Sequence, residues 1–130
     1  MSPHPEGGWY RRLWAASERI QTARGPRHAA TAIHYLLFPG EVSAWHRVDS
    51  DELWLWQGGG TLRLSHAPEA DGAAAQNVTL GGGADPESLW AVVPAGRWQT
   101  ARGAGPEPAL CVCVVAPGFD WADFHLRDGH

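Results

Sequence analysis

The chain has no lysine, a single methionine and only two cysteines, and nowhere does it string together the roughly 20 apolar residues that a membrane-spanning helix needs. Its ten basic residues are all Arg, scattered along the chain against 14 acidic ones for a formal net charge of -4, so no electrostatic footprint for nucleic acid is present. The beginning of the sequence lacks the apolar core of a secretory signal. Two cysteines cannot build a disulfide framework. Cys111 and Cys113 stand two apart in ALCVCVVAP, where a strand would point both to one face and a bridge between them would be strained. They read as small apolar side chains in a reducing, cytoplasmic setting. Nucleic acid and membrane are thus excluded as partners. Gly58-Gly59-Gly60 and Gly81-Gly82-Gly83 lack the Lys and Ser or Thr of a phosphate-binding loop and read as turns.

What the chain does have is punctuation. Sixteen Gly and ten Pro divide 130 residues into short apolar runs, the pattern of an all-β fold with many turns and little helix. The length suits one domain with one sizeable core. Strands are expected over Thr31–Phe38, Glu52–Trp56, Thr61–His66, Asn77–Leu80, Trp90–Val93 and Leu110–Val115, with a loop over Ala67–Gln76. No internal repeat of fixed period is present.

Two blocks carry the chemistry. In the first, Gly40 is followed by His46, Glu52 and Gly59 within PGEVSAWHRVDSDELWLWQGG; in the second, Val93-Pro94-Ala95-Gly96-Arg97-Trp98-Gln99 forms a turn and the start of a strand. These blocks resemble the paired motifs of cupin barrels, with Val48 where a second His is usual and Gln99 in place of the last His. With His4-Pro5-Glu6-Gly7-Gly8-Trp9-Tyr10-Arg11 at one end and Ala116-Pro117-Gly118-Phe119-Asp120-Trp121-Ala122-Asp123-Phe124 at the other, the chain resembles the small, largely uncharacterised cupins termed cupin type 5. The resemblance implies an all-β, single-domain jelly-roll barrel over residues 1–130. It also implies an ordered N-terminal arm (about 1–20) that closes the barrel edge or reaches a partner subunit.

The resemblance implies further that His46, Glu52 and Gln99 converge as ligands of a divalent metal, with Zn expected on isolation and Ni, Fe or Mn also compatible with a mixed N and O set. Losing two of four usual ligands should weaken the site. The alternative is a metal-free site in which His46 and Glu52 hydrogen-bond. Strand alternation places Ala44 and Val48 on the face of His46, and Glu52, Trp54 and Trp56 together on the next strand. His34 and Tyr35 point to opposite faces, so one of them should enter the cavity as an acid or base. Trp54, Trp56 and Trp98, with Ser43 and Phe119, are assigned to an aromatic substrate pocket. Trp14, Trp90 and Trp121 are assigned to core or interface packing, and His4, His28, His66, His125 and His130 to solvated positions.

A metal or a cationic His at the bottom of an apolar cup polarises a carbonyl and stabilises the enolate formed when an adjacent C–H is deprotonated, which is isomerase or epimerase chemistry. Glu52 or His34 is the expected base if His46 holds a metal, and His46 if none is held. The resemblance to small cupin epimerases and the surplus of indoles point to an aromatic or apolar small molecule, such as a β-substituted aromatic keto acid. A non-catalytic binding module and a metal-dependent dioxygenase are the competing classes. Open sheet edges and so many Trp favour a homodimer.

Overall fold

Alternation in Ala109–Ala116, where Cys111, Cys113 and Val115 are buried and Leu110, Val112 and Val114 half-buried, marks a central strand apolar on both faces. In the computed structural model, which describes residues 1–127, this strand organises a nearly all-β architecture. The elements are β1 (Ser2–Pro3), β2 (Trp9–Ala15), β3 (Arg19–Thr22), β4 (Gly25–His28), β5 (Thr31–Leu37), β6 (Val42–Val48) and β7 (Asp51–Gly59). They continue with β8 (Leu62–Ala67), β9 (Gln76–Leu80), β10 (Glu87–Ser88), β11 (Trp90–Val93), β12 (Trp98–Gly103), β13 (Ala109–Ala116), one 3-10 turn at Trp121–Asp123, and β14 (Phe124–Leu126).

Two six-stranded sheets face each other, in the orders β1-β2-β5-β13-β7-β11 and β10-β9-β8-β12-β6-β14, and a small β3-β4 hairpin stands beside them. This is the jelly-roll sandwich expected of a single cupin domain. Trp90–Val93 coincides with its expected bounds, Thr31–Leu37 ends one residue early, Leu62–Ala67 is shifted by one, and the other expected strands are extended by one to three residues at their ends. The β3-β4 hairpin and β14 have no counterpart among the expected strands because runs of three or four residues are too short to show a period.

The interior is unevenly filled. Leu37, Leu62, Leu64, Leu80, Ala109 and Cys111 are fully buried and close one end, while Tyr35 and Trp54 meet edge to face across the middle with ring centroids 5.7 Å apart. Beyond that layer the apolar filling stops and buried polar groups begin: His46, Glu52, Gln99, Ser43 and Glu6. That change in composition positions the site.

The strand that carries His46 is not regular. Gln99 pairs with His46 but Ala101 pairs with Ser43, so three steps on β6 match two on β12 and β6 contains a bulge. Ala44 therefore points outward and is exposed, contrary to the alternation from His46, while Ser43 takes the buried position. The bulge turns the Ala44 backbone toward the arm: its N–H donates to the Glu6 carbonyl at 2.6 Å, and its own carbonyl oxygen lies 2.7 Å from His46 Nδ1.

The arm crosses the barrel mouth on two glycines. Gly7 has φ +108, and a Cβ there would sit 2.3 Å from the Val42 carbonyl oxygen; Gly8 has φ +76, and its Cβ would sit 2.7 Å from the Tyr35 hydroxyl. Any side chain at either position would push the arm away from the barrel. Tyr35 donates its hydroxyl to the Gly7 carbonyl at 2.5 Å and so fastens the same point.

Candidate active site

A cavity of about 200 Å³ opens beyond the Tyr35–Trp54 layer. Two carboxyl groups reach its surface. Glu52 comes from β7 and Glu6 from the arm, each buried, and each is backed by a second polar side chain that does not itself line the cavity. Thr31, Ile33, Val48, Cys113 and Val115 supply its aliphatic and thiol surface, and Tyr10, Phe119, Trp121 and Phe124 its aromatic wall.

Behind Glu52 stands Gln99. Its Nε2 donates to Glu52 Oε1 at 2.8 Å, and its Oε1 accepts from Trp54 Nε1 at 3.1 Å. Indole N–H only donates, so this contact fixes the amide with its oxygen toward Trp54 and its NH2 toward the carboxylate. Burial pushes the Glu52 carboxyl up to about 7, with His46 opposing the rise and Glu6 adding to it; the Gln99 hydrogen bond moderates it by favouring the charged form.

Behind Glu6 stands His46, with Nε2 3.3 Å from Glu6 Oε1. The Ala44 carbonyl against Nδ1 can only accept, so Nδ1 carries the hydrogen and Nε2 of the neutral ring presents a lone pair. His4 Nδ1 is also 3.3 Å from Glu6 Oε1, and the Glu6 backbone N–H donates to it at 3.2 Å, so this nitrogen is an acceptor too. With both rings neutral, a proton on Glu6 Oε1 supplies the hydrogen that the His46 lone pair accepts. The shifts agree: burial raises Glu6 and lowers both His4 and His46. Ser43 Oγ donates to the other oxygen, Glu6 Oε2, at 2.5 Å. Glu6 is thus held as an acid and Glu52 is poised to ionise, two carboxyls set apart by what stands behind them.

The expected site residues are placed as follows. His46, Glu52 and Gln99 do come together in the barrel, but only Glu52 reaches the cavity; His46 lies behind Glu6 and beside the Phe124 ring, centroids 5.6 Å apart. Tyr35 is the inward member of its pair. Its hydroxyl is fully engaged and burial raises its pKa far above the ordinary value, so it has no proton-transfer role. His34 points outward to Arg11 Nη2 at 3.3 Å and is not part of the site. Ser43 is buried against Glu6 and does not line the cavity.

Of the assigned pocket aromatics, Phe119 and Trp54 line the cavity and two do not. Trp56 lies one inward step nearer the closed end, where its N–H donates to the Gly60 carbonyl. Trp98 must face away from the interior because its neighbour Gln99 faces in, and it packs under the Arg47 guanidinium. Trp14, Trp90 and Trp121 are not core residues: they are 52%, 60% and 49% exposed, and Trp121 belongs to the cavity wall. Histidines expected at solvated positions are also corrected. His4 is buried in the site, and His66 is 6% exposed with Arg97 Nε donating to its Nδ1. His130 lies outside the described residues.

From the sequence Glu6, Arg12 and Phe124 carry no site role, and His4 is expected in solvent. The available signal was Glu6 followed directly by two glycines, the pattern of a backbone that must approach something closely.

The donor set does not fit the expected divalent metal. The Nε2 lone pair of His46 is covered by Glu6, the Gln99 oxygen is taken by Trp54, and Val48 fills the position where another imidazole would be needed. Among the described residues, no group of three or more His, Cys, Asp or Glu is arranged to hold a metal ion.

Comparison with known proteins agrees with this architecture. The family described as "Cupin superfamily (DUF985)" matches residues 1–127. No curated protein matches. Among solved structures, a hypothetical protein from Leishmania major is 30% identical, with TM-score 0.83 over 95% of this chain and 80% of that one. A protein from Shewanella oneidensis is also 30% identical, with TM-score 0.86 over 96% of this chain and 77% of that one. A variant of Bacillus subtilis oxalate decarboxylase shares the fold at 17% identity and TM-score 0.70, over 96% of this chain but 29% of that one. Among the described residues no helix is long and apolar enough to cross a membrane. From the motif blocks, the two facing sheets and the match over residues 1–127, the chain belongs to the family described as Cupin superfamily (DUF985).

Proposed function

We propose that this protein is an isomerase or epimerase that moves a proton at a carbon next to a carbonyl, acting on an aromatic or apolar small molecule. The observation that carries the reading is the pair of cavity carboxyls in opposite states: Glu52 with its pKa pushed up to about 7, and Glu6 kept protonated between two imidazole lone pairs. Ionised Glu52 takes the C–H proton, and the C–H electron pair becomes the C=C of the enol as the carbonyl π pair moves to oxygen. Glu6 donates its proton to that oxygen and recovers it when the enol returns to the carbonyl; His46, whose Nε2 lone pair faces Glu6 Oε1, holds that proton in place and is a positioning residue. Water at the mouth delivers a proton to the other face of the carbon and inverts its configuration, and the hydroxide left behind takes the proton that Glu52 carries, which restores the carboxylate. Burial helps both groups, since it raises Glu52 into the range where a base works at neutral pH.

The metal-assisted form of this chemistry, with Zn, Ni, Fe or Mn on His46 and Glu52, would need Glu6 to withdraw and Gln99 to give up Trp54. The direct test is deuterium incorporation at C3 of a 3-aryl-2-oxo acid in D2O, read by proton NMR on chelator-treated protein. Exchange well above the buffer rate and unchanged by chelation is expected. Binding without exchange would make the cavity a non-catalytic binding module, and activity restored only by added metal would overturn the carboxyl-pair assignment. Oxygen uptake would point to the dioxygenase class.

We place the protein in a reducing compartment, as its cysteines Cys111 and Cys113 are buried and free. A second copy of the chain is the proposed cover for the outward face of the first sheet, where Trp90 is 60% and Val92 42% exposed beside half-buried Leu53, Leu55, Val112 and Val114. Light scattering on the purified protein should give twice the chain mass of 14.1 kDa; a monomer at micromolar concentration would reject the dimer.

A further inference from the structure

We propose that Arg12 anchors the anionic group of the ligand, and that the cavity takes a monocarboxylic acid whose body lies against Phe119, Trp121 and Phe124. This rests on the cavity being a small-molecule site but not on its proton chemistry.

Strand pairing sets the position. On β2, Tyr10 lies opposite Tyr35 and Arg12 opposite Ile33, both inward positions of β5, so Tyr10 and Arg12 line the cavity while Arg11 turns out to His34. A register shift between Arg12 and Trp14 interrupts the pairing, which resumes with Trp14 opposite Ala32. Arg24 and Arg27 hold Asp123, Arg97 holds His66 and Arg47 approaches Asp49, while Arg63 and Arg102 lie exposed on the second sheet and do not line this cavity. Arg12 has no hydrogen-bond or ion-pair partner among the described residues, yet it is the only Arg of the cavity lining. Its planar fork of five N–H donors at an aromatic mouth is matched by a carboxylate, which accepts two parallel hydrogen bonds from it.

The rest of the cavity limits the choice. The other ionisable groups deep in it, Glu6, Glu52 and His4, are engaged with partners of their own, and none supplies a second cation. One guanidinium neutralises one charge, so a diphosphate such as that of a nucleotide sugar would leave charge uncompensated beside Glu52. The aromatic wall is built for a ring: Phe119, Trp121 and Phe124 meet edge to face at 4.8 and 5.5 Å, with Trp121 half open to an incoming ligand. A ligand with its carboxylate on Arg12 and its ring on this wall presents its middle carbons to the two carboxyls.

The test is calorimetric titration of the chelator-treated full chain with indole-3-propionate, indole-3-propanol and inorganic pyrophosphate. The acid is expected to bind about tenfold more tightly than the alcohol, equivalent to about 1.4 kcal/mol, and this preference should shrink with added salt. In Arg12→Gln the preference should vanish with the alcohol's affinity unchanged, and Arg12→Lys should keep part of it. Equal affinities, a preference that survives Arg12→Gln, no saturable binding of the acid, or tighter binding of pyrophosphate would each overturn the proposal. Salt dependence in the parent gives a reading that needs no variant. Loss of the isomerase reading would appear instead as acid binding intact with no deuterium exchange.

Discussion

Glu52→Gln is expected to lower deuterium exchange by about a hundredfold to ten-thousandfold, the usual worth of a positioned general base, while making the protein more stable above pH 7. The two effects have one cause. Glu52 has its pKa raised from 4.5 to about 7, chiefly by burial, so folding binds a proton in that window. The stability it allows is fully present below about 4.5 and is lost as pH rises through about 7. The substituted amide would still accept from Gln99 Nε2 and fill the same space, but carries no charge to desolvate. The thermal midpoints of parent and variant should therefore converge in acid and separate above neutrality, with the variant higher. In the parent, kcat/KM should rise with pH through about 7, the ionisation of Glu52, and the variant should lack that limb. Exchange within a few-fold of the parent would remove Glu52 as the base, and midpoints that run parallel with pH would deny its raised pKa.

The same residues show what the sequence could and could not disclose. His46, Glu52 and Gln99 were legible because they lie on neighbouring strands at fixed spacing from turn glycines, a local and periodic signal. Their roles were less so, because what faces His46 is Glu6, far away in sequence and brought in by the arm. Ala44 was misplaced by a bulge, which alternation cannot anticipate. The indoles show the difference between knowing a face and knowing a depth. Trp54 and Trp56 do share a face, yet one borders the cavity and the other seals the opposite end. Trp98 neighbours Gln99 along the chain, and on a strand that same nearness places it on the outside. Tyr35 against His34 was decided by packing: the tyrosine ring completes the layer with Trp54, and its hydroxyl reaches a carbonyl of the arm. Trp121 and Phe124 entered the cavity wall through a 3-10 turn whose position depends on a contact far away in sequence.

That contact gives the largest expected loss of stability. Arg27 donates from Nε to Asp123 Oδ2 and from Nη2 to Oδ1, both at 2.9 Å, and Arg24 Nη1 lies 2.6 Å from Oδ2. Asp123 and Arg27 are buried, so the pair ties the β3-β4 hairpin to the turn at Trp121–Asp123, and with it the aromatic wall. Asp123→Ala would leave the buried Arg27 guanidinium without its hydrogen-bonded carboxylate, with only the weaker influence of Asp120. About 3 kcal/mol is expected, the lower part of the range for a broken buried pair, because Arg24 retains 28% exposure and its end can return to water. For a chain of this length that corresponds to a fall of roughly 10 °C in the thermal midpoint.

Hydrogen bonds from Arg27 hold the Asp123 carboxyl below its ordinary value of 3.8. Its contribution is therefore present above that pH and is lost only as pH falls through the lower folded value, so parent and variant should converge in strong acid. A double variant, Asp123→Ala with Arg27→Met, should recover part of the loss by removing the stranded charge, whereas a purely steric defect at the turn would not be relieved. A loss under about 1 kcal/mol would show the pair to be worth no more than a surface ion pair. Ligand affinity should fall in Asp123→Ala even at temperatures where it stays folded, since Trp121 and Phe124 would lose the anchor that holds them over the two carboxyls.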